Sequence, residues 1–307
     1  MSDEVVSLII DEKSKDNIIK SYQSYQINSD GEYVVFKALY KGISITIYTS
    51  KKGRLKAIFM GEGALKEAKK YDKSAEVKVK KTTAPTHYLD LNEQIGSDEV
   101  GVGDFFLPMI VVATYISKDN MNKLLELGIK DSKKMTDTQI LELVPTLLTY
   151  CSYSKLTLPN EKYSAMYLEN ENLNSLKAKM HNRALLNMIK SHPKVKHIYV
   201  DEFVNARKYY SYLNDENEEI VTNIIFKAKG ESYFPSVALA SLIARYSLLK
   251  EKEKLEDKYH MPFPFGAGSI TNSFAKKFID KYGINEFNKL VKKNFINYQE
   301  ITSSLKK

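Results

Sequence analysis

Gly96-Ser97-Asp98-Glu99-Val100-Gly101-Val102-Gly103-Asp104 sets adjacent carboxylates and spaced glycines just ahead of Pro108-Met109-Ile110-Val111-Val112-Ala113-Thr114-Tyr115-Ile116, a nearly continuous apolar run. A run of that kind belongs to a strand buried inside a sheet. The acidic stretch before it reads as a strand end and turn, a place that suits a hard cation. In a regular strand Asp98 and Glu99 face opposite sides, so both reach one site only if the strand ends or bulges there, which Gly101 and Gly103 permit. The same glycines would let a backbone approach a phosphate or ribose closely. The plainer reading is a solvated acidic turn, and neither the Asp-Glu pair nor the Gly-Val-Gly turn alone separates the two.

Outward from this stretch, apolar residues recur at helical period over 121–127, 137–148, 172–189 and 236–259, while 151–158 and 197–200 read as strands. The alternation makes a mixed α/β domain. In His197-Ile198-Tyr199-Val200-Asp201-Glu202 an apolar strand ends in a carboxylate, and sheet proteins commonly carry ligand-binding groups at the carboxyl ends of strands. Asp201 continues the strand and Glu202 reads as a solvated neighbour; a helix cap or loop carboxylate is the plainer reading of Asp201. Lys229-Gly230-Glu231-Ser232 precedes a helix opening at Pro235-Ser236 whose small residues, Ala238, Ala240, Ser241 and Ala244, report close packing on the sheet. Glu231 has a functional reading only if the fold brings it beside Asp98 and Asp201. His87, His181, His192, His197 and His260 show no metal-ligand spacing, and Lys179-Met180-His181-Asn182-Arg183 is a basic helical stretch that could face nucleic acid, a solvated helix face being the plainer reading.

The first part of the chain has a different pattern. Strands are expected over 5–10, 33–39, 43–48 and 55–60, with helices around 18–25 and 62–72, which together make a small α+β unit. The lysine-rich stretch 78–85 reads as a linker, so the domain boundary is placed near residue 85. Tyr33, Phe36, Tyr40 and Tyr48 alternate with lysines in this sheet, and Lys51, Lys52, Arg54 and Lys56 follow; most of the aromatics read as core. The 307 residues carry 46 Lys plus Arg against 38 Asp plus Glu, a formal charge of +8, which favours a polyanionic partner. One cysteine, Cys151, excludes a disulfide scaffold or a multi-cysteine zinc site, so any catalytic metal must be held mainly by oxygen ligands or histidines. No apolar run is long enough to span a membrane and the N-terminus is acidic, so a cytoplasmic protein is expected.

Taken in order, GSDEVGVGDFF, Ile129-Lys130-Asp131-Ser132-Lys133-Lys134-Met135-Thr136, YVDEF, KGES and Pro264-Phe265-Gly266-Ala267-Gly268-Ser269 resemble ribonuclease HIII, a bacterial type 2 ribonuclease H. The resemblance runs from about Asp90 nearly to the C-terminus, and the first segment resembles the TATA-binding-protein-like domain of that family. It implies an α/β RNase H-like fold, a mixed sheet flanked by helices, with a substrate-binding domain over 1–85, a linker about 76–88 and a catalytic domain over 89–307. It implies that Asp98, Glu99, Asp201 and Glu231 are the catalytic carboxylates and hold Mg2+ or Mn2+. Gly101, Val102, Gly103, Lys133 and Lys134 are implied at the substrate groove, Val102 departing from the more usual threonine. The implied reaction cuts the RNA strand of RNA/DNA hybrids, leaving 3′-hydroxyl and 5′-phosphate ends, and the enzyme is expected as a monomer. Incision at single ribonucleotides and hybrid binding without turnover are the competing readings; the glutamate of KGES argues against the first and four retained acids against the second.

Overall fold

The structure, a computed structural model, describes residues 4–28, 33–50, 53–76, 87–129, 134–168, 171–214 and 218–304. The chain divides into two compact units, Met1–Thr83 and Ala84–Lys307. The linker stretch 78–85, together with Lys51 and Lys52, lies outside the described residues.

In the first unit β1 (Val5–Ile10), α1 (Glu12–Tyr22), β2 (Val34–Tyr40), β3 (Ile43–Thr49), β4 (Leu55–Met60) and α2 (Ala64–Ala68) form an antiparallel sheet of order β1-β4-β3-β2 covered by helices. Asp11 caps α1 by accepting from Ser14 N at 2.8 Å, and Ile18 and Tyr22 of that helix are buried. The two-residue period of the strands decides the rest. Val6, Leu8, Phe36, Ala38, Ile43, Ile45, Ile47, Ala57 and Phe59 enter the core, while the opposite face exposes Ile9, Leu39, Tyr48 and Met60 beside Lys56. Phe36 is thus a core residue, as its alternation with exposed neighbours requires.

The second unit is built on β5 (Gln94–Val100), β6 (Met109–Ile116), β7 (Ser152–Leu158), β8 (Ile198–Asp201) and β9 (Ile224–Lys227), in the order β7-β6-β5-β8-β9. β5–β6 and β6–β7 are antiparallel, and β5–β8 and β8–β9 are parallel. The helices are α3 (Lys118–Glu126), α4 (Asp137–Leu147), α5 (Asn160–Leu168), α6 (Leu173–Ser191), α7 (Ala206–Ser211), α8 (Pro235–Tyr259), α9 (Ser269–Leu290) and α10 (Ile296–Ser304). α8 and α4 pack on one face of the sheet over Ile110, Val112 and Ile116; α6 packs on the other over Ile95, Val111 and Ala113. β6 is therefore apolar on both faces because both are covered. Phe105 and Phe106 enter a third cluster with Phe263, Phe274, Phe278 and Phe287, which ties the segment after β5 to α9.

Gly96 determines how closely α8 approaches. A Cβ there would lie 2.3 Å from Ser236 Oγ and 2.4 Å from Val237 N, inside the helix backbone. Gln94 on the same face accepts from both Ser236 N and Ser236 Oγ, at 3.2 and 2.8 Å. Gly96→Ala must push the start of α8 off the sheet, and we expect a loss of about 3 kcal/mol, read as a melting temperature lower by roughly 6–12 °C. A variant melting with the parent would mean that the helix moves away at no cost.

Candidate active site

Asp98, Asp201 and Glu231 come from three elements and line one cavity of about 440 Å³, with Glu99, Ser241 and Arg245 on its wall. β5 is regular through Val100: Asp98 pairs with Val112, Glu99 with Val111 and Val100 with Ile110, so the ladder has no bulge at the two acids. The strand ends just beyond, at Gly101, whose φ of +80° turns the chain out of the sheet. Asp98 consequently points to α8 and Glu99 to α6, and both still reach the cavity because it lies at the end of the strand. Asp201 is the last residue of β8 and accepts from Gly230 N at 2.7 Å. That bond holds the turn Gly230–Ser232, which presents Glu231 just ahead of α8. Glu202 is exposed.

Burial, followed by the charges of Glu99 and Asp201, pushes Asp98 well above the usual carboxylate range, against the lowering effect of hydrogen bonds from Ser241 and the Glu99 amide. Burial would raise Glu99 as well, but a hydrogen bond from His181 and the charge of Lys177 outweigh it and hold this carboxyl low. The reading of 179–183 as a solvated face is corrected here. His181 is fully buried, its Nε2 lies 3.0 Å from Glu99 Oε2 and its Nδ1 lies 2.6 Å from Ser97 Oγ. Lys177, one turn earlier, is buried and ion-paired to Glu99. The i, i+4 spacing of Lys177, His181 and buried Leu185 was the available signal, since one stripe of a helix shares one environment.

The turn after β5 is more structural than a bare Gly-Val-Gly suggests. A Cβ on Gly101 would lie 2.0 Å from the Pro108 carbonyl oxygen, whereas Gly103 faces open space. Val102 packs partly buried against the cluster of Met109, Leu158, Tyr163 and Leu176, so an apolar side chain suits the position. Beneath the turn lies Lys292, which the sequence reading did not single out. It is fully buried and donates to the carbonyls of Gly101 (2.9 Å), Asp104 (2.5 Å) and Leu107. Asp104 accepts from Gly266 N at 2.5 Å and so binds the PFGAGS segment to this turn. Lys133 lies outside the described residues; Lys134 is exposed and its neighbour Met135 lines the cavity. Arg245 also lines it, held by two bonds to Asp137 at 2.9 and 2.8 Å and lying over Phe265.

Residues 95–298 match the family model described as Ribonuclease HII, and residues 5–84 match a domain of unknown function, DUF3378. The chain is 33% identical to Ribonuclease HIII of Listeria monocytogenes serotype 4b (strain F2365) over 98% of both chains. It is 37% identical to Ribonuclease HIII of Bacillus anthracis over 89% of both. The chain belongs to the ribonuclease HIII family. A crystal structure of Bst-RNase HIII in complex with Mn2+ superimposes with a TM-score of 0.68 at 29% identity, covering 99% of each chain. RNase H3 of Aquifex aeolicus, at 21% identity and a TM-score of 0.54, shares the fold. As a ribonuclease HIII, the chain is an RNase H endoribonuclease acting on RNA/DNA hybrids, and its mixed sheet flanked by helices is the fold of that family.

The donor set suits a hard divalent cation in its chemistry. The cavity offers carboxylate oxygens, and Asp98 is forced up by burial and then by neighbouring negative charge, the second of which a cation would relieve. As the side chains stand, no three His, Cys, Asp or Glu among the described residues converge closely enough to hold one. Glu99 is the acid held aside, by Lys177 and His181.

Proposed function

We propose that Asp98, Glu99, Asp201 and Glu231 are the catalytic carboxylates and hold Mg2+ or Mn2+. The observation that carries this reading is the convergence of Asp98, Asp201 and Glu231, from distant parts of the sequence, on one cavity. Mn2+ in the similar Bst-RNase HIII crystal structure supports the choice of ion. The chemistry a divalent cation supplies when bound there is activation of the attacking water and stabilisation of the leaving oxygen, consistent with 3′-hydroxyl and 5′-phosphate products. Asp98 must be ionised to act, and its environment opposes this. Asp201 couples the site to the KGES turn through Gly230, so Glu231 is presented by a turn anchored on another catalytic acid. Gly101, Val102 and Gly103 would meet the ribose and phosphates through backbone groups, with exposed Gly103 the nearest approach, and Lys133 and Lys134 would contact phosphates.

In this reading residues 1–85 bind substrate and 89–307 cut it. The apolar and basic outer face of the first sheet, with Tyr48 beside Lys56, supports a stacking and phosphate-binding role. Tyr48→Ala with Lys56→Glu should raise KM for the hybrid about tenfold and leave kcat near the parent value, as measured by steady-state cleavage; an unchanged KM removes the role. One copy carries all four acids, which supports action as a monomer, and a single cysteine without a disulfide framework supports a cytoplasmic location.

The test uses labelled RNA/DNA hybrid and a DNA duplex with one ribonucleotide, each with Mg2+, Mn2+ or chelator. Metal-dependent cutting of the hybrid alone is expected; cutting of the single-ribonucleotide duplex would move the specificity towards the HII type, and cutting in chelator would overturn the metal. Because Asp98 is raised, protons compete with the cation for it. Cleavage should rise with pH through its titration, and the midpoint should move to lower pH as Mg2+ is increased. A midpoint indifferent to Mg2+ would separate Asp98 from the cation.

A further inference from the structure

Glu99 is held by a built cluster. Lys177 is ion-paired to one carboxylate oxygen and lies over the Phe203 ring at 4.0 Å from its centroid. His181 meets the other oxygen at 3.0 Å, is stacked on the same ring at 5.3 Å and is oriented from behind by Ser97 Oγ at 2.6 Å. Both side chains come from successive turns of α6, on the face of the sheet opposite Asp98, and neither is solvated: Lys177 is 6% exposed and His181 0%. A lysine buried beside a proposed metal-holding carboxylate has a definite electrostatic consequence, because its ammonium neutralises negative charge that would otherwise attract a divalent cation.

We propose that Lys177, seated by Phe203 and flanked by His181, is a positioning residue that serves as the resident counter-cation of Glu99. It keeps this carboxylate turned away from Asp98 and lowers the affinity of the site for divalent cations. The inference rests on the reading that Glu99 belongs to the catalytic set. Two consequences separate this role from simple packing. First, the metal-free site carries one uncompensated negative charge fewer than its acids imply, which permits three other carboxylates in one cavity. Second, a cation drawing on Glu99 must compete with an ammonium, so the cation is retained less tightly between turnovers.

The experiment titrates Mn2+ into the full chain by calorimetry in the absence of nucleic acid, with circular dichroism to confirm folding. Lys177→Gln keeps a polar side chain of similar length and removes the charge; it should bind Mn2+ about tenfold more tightly than the parent. Lys177→Arg should restore affinity to near the parent value. Glu99→Gln should weaken Mn2+ binding, since a carboxylate is lost and the Lys177 ammonium is left unbalanced beside the site, and adding Lys177→Gln to it should recover part of that loss. Should Lys177→Gln fail to fold alone, the double variant Glu99→Gln with Lys177→Gln, which leaves neither charge of the pair buried without the other, carries the test: Mn2+ affinity above that of Glu99→Gln is expected, and equal affinity overturns the proposal. A folded Lys177→Gln protein with parental Mn2+ affinity overturns the proposal while leaving the catalytic set in place. Parental affinity and cleavage in Glu99→Gln would instead overturn the assignment of Glu99 itself.

Discussion

Asp98→Asn is expected to lower kcat on an RNA/DNA hybrid by about a thousandfold or more, the scale of losing a group that stabilises developing charge in a site. Asparagine keeps the shape of the side chain and its place against Ser241, so the loss isolates the charge. Binding of the hybrid should be retained or tightened, because a negative charge leaves a groove that receives phosphates. Stability should move the other way from activity. In the folded chain Asp98 is raised by burial and by Glu99 and Asp201. It therefore holds its proton above the unfolded value of about 3.8. The proton-linked stability it contributes is present below that value and is lost as pH rises through the folded one. At neutral pH and in chelator the Asn variant should melt no lower than the parent. Steady-state cleavage, hybrid binding and thermal melting check the three parts, and an unchanged kcat would remove Asp98 from the catalytic set.

The second large effect is expected at Lys292. Lys292→Met keeps the length of the buried side chain and removes the donor from the carbonyls of Gly101, Asp104 and Leu107. Each buried carbonyl left without a donor costs about 1–3 kcal/mol, so a total near 3–5 kcal/mol is expected even after the charged group's own burial cost is relieved. The turn carrying Gly101 to Asp104 should loosen, and with it the bond from Gly266 to Asp104. KM should rise together with a fall in kcat. Burial pushes the Lys292 ammonium down to about 7, against the opposing pull of Asp104. Between that value and the unfolded value of about 10.4 the unfolded chain binds more protons, so the parent gains stability as pH rises and the variant does not. The gap in melting temperature should widen from pH 7 to pH 9; a gap of zero at both would show that the three carbonyls find other donors.

Much of the site was legible in the sequence for local reasons. An acidic pair before Gly101 marks a strand end, Asp201 closes an apolar strand, and Glu231 sits in a short polar turn before a helix of small residues. Each is a local pattern, and the ordered set of motifs carried the family resemblance. The strands of both sheets other than β9 were similarly readable from alternation or continuous apolarity. β9, α5, α7, α9 and α10 were not read. β9 and α7 are only four and six residues long, too short for periodicity to register. α9 changes course at Gly283, where φ is +81°, and this interrupts its pattern.

By itself the sequence determined that the chain is an α/β protein with a smaller first unit, which acids were available for a metal, and what family order they stand in. Those properties follow from period, composition and motif, which are local along the chain. Only the tertiary structure decided the electrostatics of the site. Asp98 and Glu99 are adjacent, yet one face of the sheet gives the first a buried carboxylate environment and the other gives the second a lysine and a histidine. His181 read as part of a solvated face, and Lys177 and Lys292 were not singled out at all, because charge is visible in sequence and burial is not. What stabilises them comes from partners 78, 82 and up to 191 residues away, Glu99 for the first two and the Gly101 carbonyl for the third. The interaction of a charge depends on what surrounds it in space, and that is set only when the sheet and helices close on one another.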